Sequence, residues 1–250
     1  MLEGKSVAVI VPAFREERLI TRMLGRVPPA VDAIYVVDDA SDDATLERAR
    51  AVGDPRVHCL RHENNRGVGA AIASGYRAAL AAGHDVLVVM AGDDQMHPDD
   101  LPKLAAPVIS GSADYAKGNR LSHPDAHLMP RLRRFGTRAL AWLTRAVSGL
   151  RVGDTQCGYT ALSARAARLL DLDELWPRYG YPNDLLVMLS ARRLAVVDVE
   201  VRPVYADEKS GLRVWHAALI AGVILRRAWL EWRRARALRS ERALSAGRAA

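Results

Sequence analysis

Four carboxylates crowd six residues of this chain, at Asp38, Asp39, Asp42 and Asp43. Their mutual repulsion has to be offset by something that binds or pairs them. Asp38 and Asp39 directly follow an apolar, strand-like run, Ala33 to Val37. A carboxylate in that place can accept N–H groups of a nucleobase or hydroxyls of a ribose. The other reading is an exposed acidic turn in which Ser41 or Asp42 caps the next helix. A second acidic stretch, Asp93-Asp94-Gln95-Met96-His97-Pro98, follows another apolar run. Residues two apart in extended chain point the same way, so Asp93 and Gln95 can share one hard divalent cation. Such a cation takes one or two protein carboxylates and completes its shell with water and phosphate oxygens. His97 and Asp99 suit helix capping better than ligation.

Gly67 and Gly69, in Asn65-Arg66-Gly67-Val68-Gly69-Ala70-Ala71, allow a tight turn and a close backbone approach. Ile72 stands where a dinucleotide-binding loop needs its third glycine, so a ligand turn and a packing turn fit equally well. Lys117-Gly118-Asn119-Arg120, with Arg131, Arg133 and Arg134, could neutralise a diphosphate or a phosphate-bearing acceptor. The Arg131 to Arg134 cluster also reads as a solvated helix face. Asp184 lies near a helix start, as a general base or as a partner of the helix dipole. Lys209, in Glu208-Lys209-Ser210-Gly211, could reach phosphate.

The elements that must hold these residues alternate through the first half. Strands are predicted at Ser6 to Val11, Ala33 to Val37, Val57 to Arg61 and Val86 to Met90. Helices are predicted at Arg15 to Arg26, Asp43 to Ala51, Gly67 to Ala82 and Leu101 to Ser110. Fully apolar strands alternating with helices mean a mostly parallel sheet covered on both faces, binding ligands beyond the carboxyl ends of its strands. Further on, Arg131 to Val147 and Pro182 to Arg192 read as helices, Val196 to Val201 as a strand, and Arg151 to Tyr159 as a polar loop.

With 250 residues, half of them apolar, the chain can bury a sizeable core. The formal charge of +7 is concentrated at the end: from Arg226 onward there are eight arginines and two glutamates, a net +6. The remainder is close to neutral, which argues against a nucleic-acid partner. Cys59 and Cys157 form no metal-ligand spacing. No signal-peptide pattern opens the chain and no apolar run reaches the roughly 18 residues of a membrane span, so a cytoplasmic location is expected.

Seven motifs in order, from Val7 to about Gly211, give the chain its resemblance to a known family: VAVIVPAFREE, VVDDASDDAT, NRGVGAA, MAGDDQMHPDDLP, KGNR, DTQCGYTAL and EKSG. It resembles the family-2 glycosyltransferases with a GT-A fold, within them the dolichol- or polyprenyl-phosphate mannosyltransferase-like branch. The resemblance implies a nucleotide-diphosphate sugar donor, UDP- or GDP-linked, inversion at the anomeric carbon, Mg2+ or Mn2+, and a polyprenyl phosphate as the foremost acceptor. Carried over position by position, Pro12, Ala13 and Glu16 line the nucleoside pocket, Asp39 meets the base and Asp38 supports its loop. Asp93 falls on the last aspartate of the family's D-x-D motif, and Gln95 on a polar residue that can also ligate the metal. Arg120 meets phosphate or acceptor, Asp184 lies near the usual catalytic base, and Lys209 and Ser210 match a phosphate-contacting turn. Ala91 replaces the first aspartate of D-x-D, which leaves Asp94 as a candidate substitute, and Asn183 stands where the acidic-pair version of its motif has Glu.

The expected organisation is a GT-A domain over residues 1–211 and an amphipathic, Arg-rich helical tail over 212–250. Trp215, Leu219, Gly222, Leu225, Trp229 and Trp232 recur at helical steps along that tail. Trp and Leu beside Arg fit an interfacial helix on the inner face of an anionic membrane, and equally a packed helix with a solvated end. Two rivals differ in function. A nucleotidyltransferase would want a glycine-rich, basic loop after the first strand, where PAFREE has no glycine and two glutamates. A degenerate membrane-associated module that binds nucleotide sugar without turnover draws its support from Ala91.

Overall fold

Successive residues of a strand face opposite ways, so Val7, Val9 and Val11 point to one side and Ala8 and Ile10 to the other. All five are fully buried, which demands cover on both faces of the sheet. The computed structural model, which describes residues 1–204 and 214–248, has that arrangement. Its strands are β1 (Val7–Ala13), β2 (Ala33–Asp38), β3 (Val57–Arg61), β4 (Val86–Val89), β5 (Tyr115–Asn119), β6 (Thr160–Ser163) and β7 (Val196–Glu200). Its helices are α1 (Ile20–Arg26), α2 (Thr45–Ala51), α3 (Val68–Ala81), α4 (Leu101–Ile109), α5 (Arg131–Ser148), α6 (Ala164–Leu169), α7 (Tyr181–Ala191) and α8 (Val214–Arg248). The sheet runs β3-β2-β1-β4-β6-β5-β7. β1 to β4 are mutually parallel, β6 runs antiparallel between β4 and β5, and β7 is parallel to β5. The mostly parallel, helix-covered α/β sheet expected from the sequence is the fold observed.

Each face has its own core. Val7, Val9 and Val11 pack with Ile20, Met23 and Leu24 of α1 and Leu101 and Leu104 of α4. Ala8 and Ile10 pack with Ile72 and Tyr76 of α3 and Leu185 and Leu189 of α7. A third, smaller cluster joins Leu140 of α5 to Ile220 and Ile224 of α8. That docking leaves Leu219, Leu225, Trp229 and Trp232 exposed on α8. The helix is thus packed along one side, as the packed-helix reading expects, and exposes apolar side chains elsewhere.

Three local expectations are corrected. α1 begins at Ile20 rather than Arg15, because Arg15 has φ +59° and the amides of Arg15 and Glu16 donate to Ser41 Oγ (3.0 Å) and Thr45 Oγ1 (2.7 Å) instead of entering a helix. Neither Ser41 nor Asp42 caps α2: Ser41 takes the Arg15 amide, Asp42 pairs with the Arg15 guanidinium at 2.7 Å, and Asp43 accepts the Thr45 amide at 3.0 Å. The strand β6, four residues following the polar loop, is absent from the sequence expectation; a run that short carries no periodicity. Lys209, Ser210 and Gly211 lie outside the described residues.

Candidate active site

The chain leaves β1, β2 and β4 at one edge of the sheet, where Asp39 N–H donates to the Ala13 carbonyl (2.9 Å) and Gly92 N–H to that of Pro12 (3.2 Å). Two pockets open there, as the architecture requires. The wider cleft, ≈ 410 Å³, is lined by Pro12, Ala13, Glu16, Asp39, Gly67 and Asp93 among others. The smaller pocket, ≈ 150 Å³, is lined among others by Asp93, Gln95, Arg120, Arg133, Gln156 and Arg202. Asp93 belongs to both.

Asp39 is the cleft's organising carboxylate. It accepts from Gly67 N–H (2.6 Å) and Arg66 N–H (2.9 Å), and pairs with His62 Nδ1 at 2.6 Å. The other imidazole nitrogen meets Ser74 Oγ at 2.9 Å. Those partners offset the repulsion foreseen for the acidic cluster. Asp38 takes no part in the cleft. It is fully buried, accepts the Ser41 amide at 3.3 Å and has Arg61 Nε at 3.6 Å. Its role is to support the turn, and a direct donor contact by Asp38 is corrected on that ground.

The glycines serve packing first. A Cβ on Gly67 would lie 2.5 Å from the Pro177 carbonyl oxygen, and one on Gly69 would lie 2.1 Å from that of Trp176. The amides of Gly69 and Ala70, at the start of α3, donate to Pro177 O at 2.8 and 3.2 Å. A carbonyl thus occupies the helix N-terminus where a phosphate could have sat. Gly67 still borders the cleft, and so do Arg178 and Tyr179 from the same 176–180 segment, which no sequence motif had marked.

Asp93 Oδ1 accepts the Gln95 amide at 3.1 Å. Asp94 turns the other way. With φ +54° it accepts from Arg22 Nε (2.7 Å) and Arg26 Nη1 (2.9 Å) on α1, and its side chain is 4 % exposed. It does not substitute for the carboxylate missing at Ala91. Among the described residues no group of three or more His, Cys, Asp or Glu side chains could hold a metal ion.

Buried charges hold the residues that line the small pocket. Arg120 donates through Nε to Asp154 Oδ2 (2.7 Å) and through Nη2 to Oδ1 (3.2 Å). Asp154 also accepts the amides of Gln156 and Cys157, both at 3.1 Å. Burial alone would raise the Asp154 carboxyl, but Arg120 and Lys117 outweigh it and hold it below its ordinary value. Lys117 is fully buried, donates to the Cys157 carbonyl, and is pushed down by that burial. Asp198, raised by burial, accepts from Gly153 N–H (2.6 Å) and Asn119 Nδ2 (2.8 Å). Asp154 stood in a quoted motif without a role; its partner is 34 residues away, beyond any local pattern.

Asp184 is not in either pocket. It is fully buried and bonded by Arg227 of α8, Nε to Oδ1 at 2.8 Å and Nη2 to Oδ2 at 2.9 Å, and it accepts the Trp176 amide at 2.9 Å. A fully buried carboxylate that already accepts three hydrogen bonds, two of them from a guanidinium, and lines neither pocket is not placed to collect a substrate proton. The catalytic-base expectation for Asp184 is therefore corrected. Its neighbour Asn183 bridges Gln156 Nε2 (2.7 Å) and Thr144 Oγ1 (2.8 Å).

An open, mostly parallel α/β sheet with pockets past its strand ends is the architecture of the GT-A fold. The family model described as glycosyl transferase family 2 matches residues 8–161, more than half of the chain, and the protein belongs to that family. It is 34% identical over 209 residues to an undecaprenyl-phosphate mannosyltransferase of Micrococcus luteus, covering 78% of this chain and 82% of the relative. It is 28% identical over 222 residues to a UDP-N-acetylglucosamine–dolichyl-phosphate N-acetylglucosaminyltransferase of Methanococcus voltae, covering 82% and 88%. Among solved structures, the glucosyl-3-phosphoglycerate synthase of Mycobacterium tuberculosis in complex with Mn2+, UDP and glucosyl-3-phosphoglycerate superimposes with a TM-score of 0.68. That match has 22% identity and covers 91% of this chain and 80% of the other.

Proposed function

We propose that the protein transfers a sugar from a UDP- or GDP-linked donor in the wide cleft to a polyprenyl phosphate whose phosphate enters the small pocket, with inversion at the anomeric carbon. The observation that carries this reading is the convergence of Arg120, Arg133 and Arg202 on one pocket that shares Asp93 with the cleft. Guanidinium groups match phosphate oxygens in geometry and charge. Both named relatives act, by their names, on a lipid phosphate. A phosphate is already ionised at neutral pH and needs no proton acceptor, so the burial of Asp184 raises no conflict. Asp154 aims the Arg120 fork, and Asp39 holds the 65–67 loop against the cleft.

Mg2+ or Mn2+ fits the residues present. Asp93 stands where the pockets meet and Gln95 lies beside it, an all-oxygen donor set of the sparse kind that leaves room for water and phosphate. Asp93 and Gln95 would hold the ion, and when bound it neutralises charge on the leaving diphosphate. The structural relative was obtained with Mn2+ and UDP.

A lipid acceptor places the protein at a membrane surface. Among the described residues no helix is long and apolar enough to cross one. Trp229 and Trp232 are about half exposed on α8, with Arg233 and Arg236 stacked over their rings at 4.8 and 5.5 Å. Phe135 and Trp142 are exposed on α5. Tryptophan and arginine side by side suit peripheral contact with anionic lipid.

The test is transfer of labelled sugar from UDP- and GDP-sugars, with Mn2+, to undecaprenyl or dolichyl phosphate. Label extracted with the lipid from one donor is the expected outcome. Label appearing only on a neutral sugar acceptor would overturn the lipid-phosphate reading, and no donor consumption under any condition would favour a binding module without turnover.

A further inference from the structure

The segment from Glu174 to Gly180 lies between the C-terminal helix and the cleft. On its inner side, Arg178 and Tyr179 line the cleft, and Pro177 O receives the amides that open α3. On its outer side it packs against α8, where Arg234 and Arg227 also pair with the Glu174 carboxylate. His216 meets the Tyr179 ring edge-on at 5.5 Å, Arg226 lies over the Trp176 ring at 5.6 Å, and a Cβ on Gly180 would meet Ile220 and Val223 at 3.5 Å. Arg227, fully buried, donates to the Glu174 carbonyl and to both oxygens of Asp184. Asp184 in turn takes the Trp176 amide at 2.9 Å.

A helix that only needed docking would manage with apolar contacts, as Ile220 and Ile224 already do. Burying a charge pair is costly, and what it gives in return is direction: the planar guanidinium fixes two acceptors at once. Here those acceptors are the segment's own carbonyl and the carboxylate that anchors its amide.

We propose that Arg227 and Asp184 are positioning residues for the donor site, and that α8 forms the outer support of the cleft wall carrying Arg178 and Tyr179. The inference rests on the reading of the cleft as the donor site. It assigns Asp184 a positioning role in place of the catalytic base suggested by its place near a helix start, and it gives the C-terminal helix a part in donor binding.

The test measures UDP and GDP binding with Mn2+ by calorimetry, together with donor KM and kcat, for the wild type, Arg227→Lys, and the double variant Asp184→Leu/Arg227→Met. Lysine keeps the charge but lacks the fork; the double variant removes both charges, so no orphaned buried ion threatens the fold. The expected result is donor affinity weakened about 10-fold with kcat at saturating donor nearly unchanged, the signature of a displaced wall rather than of lost chemistry. Donor binding at wild-type strength in a folded variant overturns the inference, as does an equal fall in kcat and kcat/KM. A second readout needs no variant: hydrogen exchange of the wild type should show slower exchange at 174–180 when the nucleotide binds, and unchanged exchange there overturns the proposal. If the wild type binds neither nucleotide, the donor-site reading fails first and takes this inference with it.

Discussion

The two pockets share one aspartate and differ in almost everything else. The wide cleft is lined by Pro12, Ala13 and Gly67 together with Glu16, Arg178 and Tyr179, and its Asp39 is locked by two amides and a histidine. It offers a mostly apolar wall and the carboxylates of Glu16, Asp39 and Asp93, which suits a neutral, hydrogen-bonding base and ribose. The small pocket is lined by three arginines, Arg120, Arg133 and Arg202, of which Arg120 is held by the buried Asp154. It offers charge, held rigidly, which suits an anion. Position in the fold decides the chemistry: the parallel strands β1, β2 and β4 deliver the first pocket, while residues flanking β5, β6 and β7 contribute most of the second.

The largest expected break is at the shared residue. Asp93→Ala should lower kcat/KM by about 100-fold and abolish the Mn2+ dependence of nucleotide binding; steady-state rates and calorimetry with and without metal check both. Asp154→Asn tests the anionic side alone. Leaving Arg120 without its partner should destabilise the fold by about 3 kcal/mol, read by urea unfolding, and weaken acceptor use more than donor use. The same residue predicts a pH effect. Its folded pKa lies below the ordinary value, so its stabilising contribution is complete above the unfolded pKa of about 4 and is lost as pH falls toward the folded one. The stability gap between wild type and Asp154→Asn should therefore narrow on acidification. Gly69→Ala sharpens the cleft side: its Cβ would drive against the Trp176 carbonyl, costing about 2 kcal/mol and weakening nucleotide binding with less effect on the acceptor. The smallest effect belongs to Trp229→Ala/Trp232→Ala. Stability should stay within about 0.5 kcal/mol and nucleotide binding should not change, while sedimentation with anionic vesicles should fall.

β1, β2 and β4 were legible because burial on both faces writes itself as unbroken apolar runs, and the acidic turns because they follow two of those runs directly. The features that escaped notice share a physical cause. Asp154 with Arg120 and Asp184 with Arg227 are pairs separated by 34 and 43 residues, and nothing near either aspartate announces its cation. Asp184 looked like a base from its place near the start of α7, when its partner comes from α8. Asp94 resembled a reserve ligand until a positive φ turned it toward Arg22 and Arg26. The 15–19 segment resembled helix because its amides' true acceptors, Ser41 and Thr45, sit across the turn.

Arg120→Ala separates the two pockets when nucleotide affinity and lipid-phosphate transfer are measured on the same preparation. UDP or GDP should bind with Mn2+ as in the wild type while transfer to polyprenyl phosphate falls steeply. Loss of nucleotide binding together with transfer, or transfer at the wild-type rate, would contradict the division into a donor cleft and an anion-binding acceptor pocket.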